Sequence, residues 1–157
     1  MDIENYIAKV KELIGEMPSI TEQAITKNKA KFIRLNTAQI DQFQGVDGSI
    51  LKSTNSKYKG HYSLATALLA SNQNPLLPKV AGEPYNFVYH GDFINNLQIE
   101  ISPKKDKFEI FSTGTGSGDK KTFFDSFPSL LGLNNDNSEQ ANNIILEEIQ
   151  AYIKTKL

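Results

Sequence analysis

His61 and His90 are the only two histidines in the chain, and with Asp92 close behind the second they are the residues best suited to proton transfer or metal ligation. Their spacing matches no metal pattern, since there is neither a His-Glu-x-x-His helix nor a His-x-His pair. Ordinary structural or surface histidines are the expectation, and catalysis would require His61, His90 and Asp92 to converge in one cleft. The glycine-rich run Gly114-Thr115-Gly116-Ser117-Gly118-Asp119 follows a predicted strand, as a phosphate loop would. Its glycines alternate, however, and Gly118 precedes Asp119 rather than Lys, so neither a dinucleotide fingerprint nor a P-loop is formed. A mobile loop is expected there. Ser117 has glycine directly on both sides, which is not the spacing of a nucleophile elbow. Asp41 and Asp47 lie outside any calcium-loop pattern. No residue is assigned a catalytic, cofactor-binding or metal-ligating role, no cofactor is expected, and the chain is not expected to be an enzyme.

Cysteine is absent, which removes disulfides, thiolate catalysis and cysteine-bound metals together. Lysine and arginine number 17 against 18 acidic residues, so no net positive field draws a nucleic-acid backbone and direct nucleic-acid binding is not expected. The two cationic stretches, Lys27 to Lys31 and Lys104 to Lys107, are expected to be a solvated helix end and a solvated turn. Apolar residues at 39% and charged residues at 22% are globular values, and 157 residues suit a single domain spanning 1–157. No signal-like start and no apolar run of membrane-spanning length is present, so no membrane partner is expected.

These residues call for an α+β fold, with N-terminal and C-terminal amphipathic helices packed on a small antiparallel sheet. Ile3, Tyr6, Ile7, Val10, Leu13, Ile14 and Met17 recur at helical spacing, and Pro18 is expected to stop that helix. A second helix is predicted from Ser19 towards Lys29, an extended piece over 31–35, and a brief helix through Gln42. Gly45 to Ser49 predicts a tight turn. Tyr62 to Ser71 predicts a helix and 72–84, with three prolines, an irregular crossing. Strands are predicted at Phe87 to Tyr89, at Leu97 to Ile101 by strict alternation, and around Phe108 and Ile110. A helical turn is predicted over 120–127, and a closing helix capped by Ser138 carries Ala141, Ile145, Ile149, Tyr152 and Ile153 on one stripe. The aromatics Tyr85, Phe87, Tyr89, Phe123, Phe124 and Phe127 are expected in the core, with contact to another subunit as the alternative.

A set of short signatures runs in order along most of the chain: Leu35-Asn36 with Gln39-Ile40, Gly45-Val46-Asp47-Gly48, Tyr62-Ser63 with Thr66, Gly91-Asp92-Phe93, and Leu131-Gly132-Leu133. In this order they resemble a family of small structural proteins of tailed bacteriophages, as in phages of Bacteroides-type bacteria or crAss-like phages. The resemblance implies a virion component at the head–tail connector, neck ring or tail, assembled in the bacterial host cytoplasm. Its implied partners are copies of itself in a ring and neighbouring portal, connector or tail proteins, against which segments 72–84 and 112–119 would order. The alternative is a small non-viral adaptor or immunity-type module that binds one protein partner.

Overall fold

In the computed structural model, which describes residues 2–88 and 91–157, helix α1 (Ile3–Asp41) leads into an irregular stretch. Then come α2 (Leu64–Gln73), the single turn α3 (Asp92–Asn95), strands β1 (Leu97–Ile101) and β2 (Phe108–Ser112), a 3-10 turn (Thr113–Thr115), α4 (Asp119–Asp125) and α5 (Asn135–Lys156). Two long helices and a two-stranded antiparallel sheet make the expected α+β fold.

α1 does not stop at Pro18, and residues 31–35 are helical rather than extended. Proline removes one backbone donor and crowds the preceding turn. What carries the helix across it is one continuous buried stripe, Leu13, Ile20, Ala24, Ile25, Phe32 and Ile40, whose burial on α5 and the sheet outweighs the local cost. The β-branched and aromatic residues that suggested a strand serve the same stripe, with Phe32 fully buried and stacked on Phe108 at 4.9 Å. The Lys27 to Lys31 stretch therefore lies within the helix, not at its end. Lys27 pairs with Glu148 of α5 at 2.7 Å, and Lys29 donates to the Ile99 carbonyl of β1.

α5 runs antiparallel to α1, since Asn137 donates to the Leu35 carbonyl while Tyr152 donates to Glu16. Its N-cap is Asn134, whose side chain accepts from the Asn137 amide. Ser138 instead sits in the first turn and donates to the Leu133 carbonyl, so the predicted cap was four residues late. In the sheet Leu97 pairs with Ser112 and Ile101 with Phe108. Leu97, Ile99 and Ile110 face the core, while Gln98, Glu100 and Glu109 face out. The 102–107 turn joins them as expected, and Lys105 reaches back to Glu22 at 2.7 Å.

The third predicted strand does not form over its described part. Phe87 takes a left-handed φ of 56° and Val88 is irregular, while Tyr89 lies outside the described residues. The 112–119 segment is not a plain loop: Gly114 is pressed on α3 so closely that a Cβ there would lie 2.0 Å from the Asp92 carbonyl oxygen. Ser112 locks the approach, donating to the Phe93 carbonyl and accepting from the Gly114 amide. Around the Gly45–Ser49 turn, Gln44 bridges Ile50 and Gly48 has φ 74°, the tight turn that the glycines predicted.

Candidate functional site

The signature residues of the sequence come together as a clasp rather than as a reaction centre. Asn36 donates to the carbonyls of Leu130 and Gly132, and Gln39 donates to Gly132 while accepting from the Asn134 amide and the Asn137 side chain. Both side chains are fully buried, so α1 holds the start of α5 by hydrogen bonds in a dry setting. Val46 packs against Gly132, and the Val46 amide donates to Ser129. Ser63 caps α2 by accepting from the Thr66 amide, and Gly91, at φ 84°, starts α3. These positions specify the fold.

The histidine and carboxylate candidates are not assembled among the described residues. His61 is exposed, bridges Pro84, and borders a cavity of about 500 Å³ whose charged lining residues are Lys52 and Lys59. Asp92 is exposed and paired with Lys120 at 3.0 Å. His90 lies outside the described residues. Among the described residues no group of three or more histidine and acidic side chains is placed to hold a metal, and no helix is long and apolar enough to cross a membrane.

The aromatics pack into the interior. Tyr85, Phe87 and Phe127 are buried, Phe123 and Phe124 half-buried, and Tyr85 meets Tyr62 at 4.8 Å and Phe123 at 5.2 Å between centroids. The apolar residues left in water are elsewhere. α2 turns its small residues Ala67 and Ala70 inward and leaves Leu64, Leu68 and Leu69 outside, an arrangement inverted from that of a solvated helix. Leu76, Leu77 and Val80, just beyond, continue the exposed apolar chain, with Leu76 at 91% exposure. A second such surface is the first part of α1, where Ile3, Ile7 and Ile14 fall at coiled-coil-like spacing and are exposed, as is Tyr6.

Helical spacing of Leu64, Ala67 and Leu68 was visible in the sequence, but periodicity alone does not say which face a helix buries. The signal that distinguishes the two faces is size: alanines on one side permit close approach to the body, and leucines on the other stay exposed.

Between α2, α4 and the 85–88 segment lies a cavity of about 420 Å³ walled by Tyr58, Tyr62, Tyr85, Phe123 and Phe124. Lys79, only 8% exposed, points its ammonium to Asn86 Oδ1 at 2.9 Å and to the Val88 carbonyl at 2.5 Å. The same Asn86 oxygen accepts from the Tyr62 hydroxyl and the Val88 amide. Burial pushes Lys79 below the ordinary lysine pKa and pushes the Tyr62 and Tyr85 phenols above theirs. Sequence reasoning missed Lys79, which carries no motif. No known family, no curated protein and no solved structure matches the chain.

Proposed function

We propose that this chain is a structural component of a tailed-phage virion, at the head–tail connector, neck ring or tail, and that it acts by subunit–subunit assembly. The observation that carries the assembly role is the leucine-out face of α2 with its continuation through Leu76, Leu77 and Val80. Large apolar side chains exposed together on one helix face mark an interaction site. The exposed isoleucines at the start of α1 supply a different apolar surface on the same chain, so contact between unlike faces is available, and a contact of that type closes into a ring when its rotation permits. The phage assignment rests on the ordered signatures from Leu35-Asn36 to Leu131-Gly132-Leu133.

The test has two arms. Light scattering on the purified chain is expected to give a discrete oligomer that the triple variant Leu64→Ser, Leu68→Ser, Leu69→Ser reduces to monomer with helical content kept. Mass spectrometry of purified particles from the same source is expected to find the chain at fixed copy number. A stable monomer in solution that is absent from particles would point to the adaptor or immunity-type module instead.

A further inference from the structure

An ammonium carries three N–H donors, and Lys79 uses two of them on Asn86 and Val88. For the third, the described residues offer the face of Tyr62, with the ring centroid 5.7 Å away. None of the four ion pairs among the described residues includes Lys79. A buried cation is ordinarily matched by a carboxylate, because water no longer stabilises the charge. Here the charge is instead held against the wall of an aromatic cavity, and the cavity volume falls in the range of small-molecule sites. The segment presenting it is strained: Phe87 has a left-handed φ of 56°, a conformation a bulky side chain adopts only when its surroundings impose it, and this places the Val88 carbonyl on the ammonium. Lys120, on α4, adds a second cation to the lining and is paired with Asp92.

We infer that this cavity is a binding site for a small organic anion with a flat apolar body, such as an arylalkyl carboxylate, whose carboxylate takes the remaining donor of Lys79 while its ring lies among Tyr58, Tyr62, Phe123 and Phe124. The acid supplies the counter-charge that the described residues do not. A neutral ligand of the same shape fills the walls but leaves the ammonium as it was. A cationic one is repelled. The site stands independently of the virion role, since it depends on neither the leucine face nor self-assembly.

The experiment is a titration of the intact chain, followed by the NMR resonances of the aromatic side chains, with three probes of one shape: 3-phenylpropanoate, its neutral amide, and 3-phenylpropylammonium. The acid is expected to bind about tenfold more tightly than the amide, the difference between an ion pair with the ammonium and a hydrogen bond from it to a neutral carbonyl, and the ammonium probe not at all. Asn86→Asp keeps an acceptor oxygen for Tyr62, Lys79 and Val88 while giving Lys79 an internal carboxylate. It is expected to abolish the preference for acid over amide while leaving amide binding unchanged. The inference is overturned if the native chain binds the acid no more tightly than the amide, if no probe moves the cavity resonances at millimolar concentration, or if Asn86→Asp retains the acid preference.

Discussion

Gln39 shows how a single polar side chain can position half of a fold. Its carbonyl oxygen receives the Asn134 amide at 2.8 Å and the Asn137 side chain at 3.2 Å, and its amide donates to Gly132. Replacing it with leucine keeps the volume but strands the buried Asn134 amide, while the Gly132 carbonyl keeps Asn36 and the Asn137 side chain keeps Leu35. Gln39→Leu is therefore expected to lose about 1–3 kcal/mol in denaturant unfolding, more than an exposed glutamine would. A loss under about 0.5 kcal/mol would show that the clasp is not holding α5. Lys79 makes a pH-dependent counterpart. Its folded pKa lies below its unfolded value, so the cost of burying the charge is full at neutral pH and is relieved as pH rises through the folded pKa towards about 10.4. The native chain is expected to gain stability relative to Lys79→Met between neutral pH and that value, measured as the difference in urea midpoints; a flat or falling difference would contradict burial of the charge. Neither residue announced itself in the sequence. Asn36 and Gln39 entered only through the ordered signatures, because hydrogen-bond partners some 90 positions away cannot be read from neighbours in the chain, and Lys79 carries no motif although its partners Asn86 and Val88 are close by in sequence.

At the scale of elements, local patterns were legible wherever one face of an element meets the core and the other meets water. The alternation in Leu97–Ile101 and the stripe through Ala141 and Ile149 gave the hairpin and α5 directly. Legibility failed where packing at a distance overrode a local preference. Pro18 and the 31–35 run both argued against helix, yet the stripe from Leu13 to Ile40 keeps one continuous helix because α5 and β1 cover it. The Thr21 hydroxyl also donates to the Met17 carbonyl beside the proline. If the proline is merely tolerated, Pro18→Ala is expected to stabilise the chain, by up to about 3 kcal/mol, with the thermal midpoint rising and helix content unchanged. A lower midpoint would mean that the proline contributes to the native packing. The missing strand at Phe87 has a different cause: Tyr85 and Phe87 point into a ring cluster from a strained turn, not across a sheet, and side-chain type alone does not separate the two cases.

The whole molecule exposes more surface than its mass requires. Its accessible area is 10045 Å² for 17.5 kDa, against about 7,900 Å² for a compact monomer of that mass. The excess of roughly 2,100 Å² on one chain exceeds the roughly 800 Å² that each partner buries in an interface of standard size. Much of its origin is visible in α1, whose 39 residues span about 58 Å, longer than the roughly 39 Å diameter implied by a radius of gyration of about 15 Å. The start of that helix carries the exposed isoleucines, and α2 carries the exposed leucines. A chain built to remain alone would be expected to cover these surfaces or make them polar. On the proposed reading the chain completes its folded surface against copies of itself, and the most direct test is its mass by light scattering at micromolar concentration. A discrete oligomer, broken to monomer by serine at Leu64, Leu68 and Leu69, is the predicted result; a monomer for both the native chain and the variant would contradict it.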